Sequence, residues 1–217
     1  MPDWWIVIMW AIAGAVVGAG LSYLTCCWVR PMAVLYRRRG STTAIGVAVT
    51  AILFGALAWR LDARFELLPY STLAAISVPL AVIDTIEHRL PNKVLLVAYP
   101  ALLILFSLGS LLHSDPTSLV RALTSMIAIA SFYLALALSF PGGLGAGDVK
   151  LGGLLGLVLG WTSWTAVITG TLLGWLLGAG AWFTFRLTGQ ITRDSLLPLG
   201  PFLLLGTLIT ITVMPPP

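Results

Sequence analysis

Apolar stretches that reach or approach the ~20 residues needed to cross a ~30 Å hydrocarbon core recur along this chain, and that repetition limits its fold more than anything else. A water-soluble domain has no interior large enough to hold so many of them. Of the 217 residues, 59% are hydrophobic and only 9% are charged. This excludes a disordered chain and argues against a soluble globule. The expected fold is all-α: a polytopic integral membrane helical bundle of about eight transmembrane helices, built as a single membrane-embedded domain over residues 1–217 with no separate soluble domain.

The apolar runs place spans near 4–29, 43–59, 69–87, 93–112, 119–140, a shorter one from Asp148 to about Gly160, then 164–186 and 196–214. Lys and Arg orient them. With the N-terminus outside, the cytoplasmic side holds Arg30, Arg37, Arg38, Arg39, Arg89, Lys93, Lys150, Arg186 and Arg193, and the outside holds Arg60, Arg64 and Arg121. Nine against three is a positive-inside bias, and it puts the C-terminus outside as well. The net charge of +4 rests on few residues, so no nucleic-acid partner is expected. The bilayer is the expected surroundings.

Met1-Pro2-Asp3-Trp4-Trp5 lacks the basic start of a signal peptide, so the first apolar run reads as a retained span. Cys26 and Cys27 are adjacent, cannot supply a four-cysteine zinc site, and read as small packing residues. His88 and His113 are isolated and form no metal-ligand pattern, so neither a metal nor a cofactor is expected. Glycines recur every fourth residue at Gly14 and Gly18, at Gly152, Gly156 and Gly160, and at Gly170, Gly174 and Gly178. Small residues at this spacing let helices approach closely in lipid, and no chemistry is assigned to them.

Against this background two acids stand out. Asp148 closes the glycine-rich stretch Gly142-Gly143-Leu144-Gly145-Ala146-Gly147-Asp148, followed by Val149 and Lys150. An ionisable residue at the edge of an apolar segment is costly and is a candidate for function. The glycines before it allow a close backbone approach. Asp84 ends another apolar segment, ahead of Leu90-Pro91-Asn92. The topology brings both acids to the cytoplasmic ends of their spans, at similar depth despite 64 residues between them. Two nearby carboxyls do not both ionise comfortably and can share one proton. The ionised one accepts a proton from an attacking water, and the other protonates the carbonyl oxygen or the leaving amine. Asp148 opens a helix, where the dipole favours an anion, whereas Asp84 lies near a helix C-terminus; this leans toward Asp148 as the base.

Blander readings stand beside this one. Asp148 pairs with Lys150 in the simplest of them, and Asp84 with His88 or Arg89. Glu87 lies on nearly the same helix face as Asp84 and rivals it as the second carboxylate. Lys150 is either a snorkelling anchor or a residue that holds a carboxylate or touches substrate.

Taken together, these blocks resemble the type IV prepilin peptidases, membrane aspartyl proteases of the GxGD type. Gly143 through Leu151 is similar to the family's second aspartate block, lysine included, and Ile83-Asp84 with Arg89-Leu90-Pro91-Asn92 is similar to the first. Val17-Gly18 through Arg30-Pro31 resembles the opening helix, and Pro198-Leu199-Gly200-Pro201-Phe202 the last span. The resemblance implies Asp84 and Asp148 as the catalytic pair, with Gly145, Gly147, Lys150 and Glu87 in supporting or substrate-binding roles. It also implies a bacterial inner-membrane enzyme that cuts prepilins or pilin-like proteins on the cytoplasmic side, after the terminal glycine of a short basic leader. Many members carry a cytosolic insert between spans one and two, with two CxxC pairs, that goes with N-methylation. Here that loop is about 13 residues, near Arg30 to Thr42, without cysteine pairs. Methyl transfer and S-adenosylmethionine binding are therefore not expected. The alternatives left open are a proton- or ion-coupled transporter using the same acids and a noncatalytic assembly component.

Overall fold

The structure, a computed structural model, describes residues 3–28, 39–140, 144–189 and 198–214. Among them the chain forms eight α-helices and no strand: α1 Trp4–Trp28, α2 Arg39–Leu61, α3 Leu67–Glu87, α4 Asn92–His113, α5 Pro116–Ser139, α6 Ala146–Thr162, α7 Trp164–Leu187 and α8 Gly200–Val213. The expected all-helical bundle of a polytopic membrane protein is what the chain forms. Six helices, α1 to α5 and α7, are long and apolar enough to cross a membrane. The other two are shorter, with 17 residues in α6 and 14 in α8. At 1.5 Å per residue they reach only about 25 Å and about 21 Å. The side chains of Cys26 and Cys27, residues 29–38, Gly142, Gly143, Arg193 and residues 215–217 lie outside the described residues.

The chain divides into two compact units, Met1–Ile83 and Asp84–Pro217. In the first, α1 and α2 pack along their length. A Cβ at Gly14 would lie 2.7 Å from the Phe54 side chain, and one at Gly18 would lie 2.9 Å from Thr50 Cβ. The glycine spacing read from the sequence is thus a helix–helix seam. Trp10 Nε1 donates to Ser71 Oγ at 2.8 Å, which ties α1 to α3.

In the second unit α6 is the hub, touching α4, α5, α7 and α8. Every residue from Leu151 to Thr162 is buried. Its glycines face α5: a Cβ at Gly156 would lie 2.7 Å from the Ser125 carbonyl oxygen, and one at Gly160 would lie 2.6 Å from Ser125 Cβ. On the opposite side Trp161 stacks on Phe106 of α4 with ring centroids 4.9 Å apart.

A helix buried this deeply has to satisfy its terminal carbonyls from within the protein. Arg121 of α5 does so. Its Nε donates to the Gly160 carbonyl at 2.7 Å, and one terminal nitrogen reaches the carbonyls of Trp161 at 2.5 Å and Thr162 at 3.2 Å. The same guanidinium donates to Ser118 Oγ at 3.1 Å, and Ser118 donates to Asp115 Oδ2 at 2.6 Å. Asp115 also accepts the Thr117 N–H and caps α5, with Pro116 at its first position. These bonds from Ser118 and Thr117 hold the Asp115 carboxyl below its ordinary value. A depressed carboxyl adds stability above its unfolded value and loses it as pH falls through the folded one, so this cap weakens only in acid.

Arg121→Ala leaves three carbonyls of α6 without their cation. It is expected to destabilise the protein by about 2 kcal/mol. Arg121→Lys should recover only part, because an ammonium lacks the planar fork. Thermal melts in one detergent read both, and equal melting of Arg121→Ala and wild type would remove the guanidinium from this role.

Candidate active site

Both acids belong to the second unit. Asp84 sits in the last turn of α3, whose end is set by His88 in the left-handed region at φ 50°, with its N–H on the Asp84 carbonyl at 2.9 Å. The Asp84 side chain is only 5% exposed. Its Oδ2 accepts the backbone N–H of Gly200, the first residue of α8, at 3.1 Å. The His88 ring lies within electrostatic reach. A carboxylate so far from water needs such a donor, since an unpaired buried charge is strongly disfavoured. Gly200 is the residue that can give it: a Cβ there would lie 2.6 Å from Asp84 Oδ2.

Asp148 occupies the third position of α6. Its Oδ2 accepts the N–H of Gly145, the residue that caps the helix, at 3.1 Å. Glycine has no side chain to bond back, so only the reciprocal half of a capping box exists. The carboxylate sits at the positive end of α6, half-buried. Asp84 and Asp148 lie within electrostatic reach of each other.

The segments around the two acids dock on each other. A Cβ at Gly147 would lie 3.0 Å from Leu90 Cβ, so the glycine between Gly145 and Asp148 lets α6 close onto the Leu90-Pro91-Asn92 turn. Lys150 Nζ donates to Asn92 Oδ1 at 2.8 Å, and the Lys150 carbonyl accepts the Tyr99 hydroxyl at 2.7 Å. The supporting residues read from the sequence thus separate. Gly145 holds Asp148, Gly147 seats the turn, and Lys150 binds Asn92 rather than a carboxylate. Glu87 is exposed, where Asp84 is buried. Among the described residues, no group of three or more His, Cys, Asp or Glu side chains comes together that could hold a metal.

One inference from the sequence needs correction. The helix-dipole argument favoured an anion at Asp148 and disfavoured one at Asp84. It counted only the helix that carries each acid. Asp84 also meets the N-terminus of α8 through Gly200, so both carboxylates take a glycine N–H at a helix start. The asymmetry that made Asp148 the base is gone. Gly200 itself was legible only as part of the Pro198–Phe202 block, because its partner lies 116 residues away.

The fold and the site define a multi-pass membrane protein with a paired-carboxylate centre held by helix ends. Comparison with known proteins places it further. The model of the type IV leader peptidase family matches residues 71–214, which include both acids, both docking segments and α8. The chain is 31% identical over 162 residues to the prepilin leader peptidase/N-methyltransferase of Bacillus subtilis (strain 168). The matched stretch is 74% of this chain and 62% of that protein, so the chain spans under two thirds of the relative's length. No solved structure matches it. The chain belongs to the type IV leader peptidase family.

Gly200→Ala tests the α8 contact. The methyl group would force Asp84 or the start of α8 to shift, and were Asp84 a reacting group, a displacement near 1 Å would lower the rate by roughly a hundredfold. The variant should still insert but melt below wild type, and any leader cleavage that depends on Asp84 should fall by that order. Unchanged cleavage would mean that the Gly200 contact does not hold Asp84 in its working position.

Proposed function

We propose that this chain is an aspartyl endopeptidase that removes the basic leader peptide from prepilins or pilin-like proteins, with Asp84 and Asp148 as its catalytic pair. The observation that carries the reading is the pair itself: two carboxyls within electrostatic reach, each accepting one glycine N–H at a helix start. Family membership agrees with a leader peptidase and does not favour the ion-coupled transporter. In the reaction one carboxylate takes a proton from the attacking water while the other, protonated, donates to the carbonyl oxygen or the departing amine. Because the two carboxyls titrate as a pair, neither is assigned as the base. Gly145 and Gly147 position Asp148, and Lys150 fixes the turn after Asp84. Exposed Glu87 suits the positive charge of a leader.

The same reading puts the enzyme in the bacterial plasma membrane, both termini outside and the acids facing the cytoplasm, where leaders are presented. The Lys and Arg asymmetry supports it. With Cys26 and Cys27 replaced, a single cysteine at Ser114 should react with an impermeant reagent from outside and one at Ser41 only from the cytoplasm. The opposite pattern at both would reverse the orientation and remove the leader's access to the acids. We also propose that the chain transfers no methyl group, although the relative's name includes that activity, because the segment between α1 and α2, residues 29–38, is too short for a zinc-binding insert and has no cysteine.

Asp84→Asn and Asp148→Asn keep shape and remove the exchangeable charge. Each should lower prepilin cleavage by about a thousandfold, with insertion intact. Glu87→Gln should retain most activity. Mass spectrometry of the product reads the cut, and the wild-type product should show loss of the leader alone even with S-adenosylmethionine supplied. Normal cleavage by both asparagine variants would end the aspartyl mechanism. An inactive Glu87→Gln beside an active Asp84→Asn would move the second carboxylate to Glu87, and a methyl mass gain due to this chain alone would restore the second activity.

A further inference from the structure

Gly152 follows Asp148 by four residues and lies on the same face of α6, one turn deeper. The room a side chain would take there is filled by the ring of Tyr133 from α5. A Cβ at Gly152 would lie 2.8 Å from Tyr133 Cδ2 and 3.1 Å from Cε2. The ring is therefore seated directly beneath Asp148. Tyr133 is 1% exposed, and its electrostatic neighbours include the Asp148 carboxylate.

The phenol oxygen accepts a hydrogen bond from Trp175 Nε1 of α7 at 3.0 Å, with the two rings 6.1 Å apart at 35°. An indole N–H can only donate, so in this pair the phenol oxygen is the acceptor. Its own proton is left to donate elsewhere, and among the described residues no acceptor takes it. A buried donor left unspent is disfavoured by about 1–3 kcal/mol unless something else engages it. Packing alone would be served by phenylalanine. A tyrosine whose oxygen is already held by Trp175 has its proton oriented in advance, in an apolar setting where hydrogen bonds are strong.

We propose that Tyr133 is a third catalytic residue: fixed by Trp175, its phenol donates a hydrogen bond to the scissile carbonyl oxygen as the water attacks. This rests on the peptidase reading of Asp84 and Asp148. No proton leaves the phenol. The bond strengthens as the carbonyl oxygen gains negative charge and weakens when the carbonyl re-forms, so it acts on the transition state more than on substrate binding. The signature is a fall in kcat at nearly constant KM.

The test uses purified full-length enzyme and a prepilin substrate, with wild type, Tyr133→Phe, Trp175→Phe and Asp148→Asn in parallel. Removal of one such donor lowers kcat by about a hundredfold, and Tyr133→Phe should do so with KM and melting temperature unchanged. Trp175→Phe leaves the phenol and removes the group that orients it, so its kcat should fall between the two. Wild-type kcat in Tyr133→Phe, with Asp148→Asn inactive, overturns the tyrosine's role and leaves the aspartyl pair standing. Cleavage by Asp148→Asn instead strikes the peptidase reading. Should Tyr133→Phe fail to fold, Trp175→Phe decides, and a folded Trp175→Phe with wild-type kcat refutes the proposal.

Discussion

The burial of α6 is the constraint on which the second unit depends. From Leu151 to Thr162 this helix meets no water, yet each of its ends carries unsatisfied backbone groups. Lipid cannot satisfy them and neighbouring apolar helices cannot either. The chain answers with an anion at one end and a cation at the other. Asp148 sits in the first turn with Gly145, and Arg121 spans the last carbonyls. Both signs agree with the helix dipole. The carboxylate proposed for catalysis is thus also the kind of group that a helix N-terminus attracts on physical grounds.

The glycines serve more than the seam read off their spacing. In α1 and α2 they bring backbones together and nothing more. In α6 they do that at Gly156 and Gly160, but at Gly152 the space admits an aromatic ring and at Gly147 it admits the turn after Asp84. Gly145 and Gly200 act through their N–H groups. At Gly145 a Cβ would make only an ordinary contact with Asp148, whereas at Gly200 it would lie 2.6 Å from Asp84 Oδ2 and something would have to shift.

Much of this was legible in the sequence and the rest was not, for identifiable reasons. Length and hydropathy give helix positions well, because a span must be long and apolar whatever it packs against. The helix starting before Asp148 was read two residues short, and its backbone begins at Ala146. The acids were legible because charge is rare in such a chain. The contacts of Gly200, Arg121 and Tyr133 were not. Arg121 was read as an outside charge that reports orientation, whereas its side chain turns to a helix end some 40 residues away. Tyr133 lies in an apolar run where helical periodicity carries little signal, since lipid-facing and protein-facing sides are both apolar. Its partner Trp175 is 42 residues on. Contacts at such separations belong to the tertiary structure and leave no local pattern.

The two short helices explain how carboxylates at the ends of unrelated segments come to share one place. A helix that spans the bilayer puts its ends at the two water interfaces. At 17 and 14 residues, α6 and α8 fall short of that. Their N-termini carry positive dipole ends and free N–H groups. Each meets a carboxylate there: α6 its own Asp148, and α8 the Asp84 of α3. Longer helices would carry those N–H groups out to water, where a carboxylate gains far less from them. The shortness of α6 and α8 therefore fits the placement of both acids at helix N-termini.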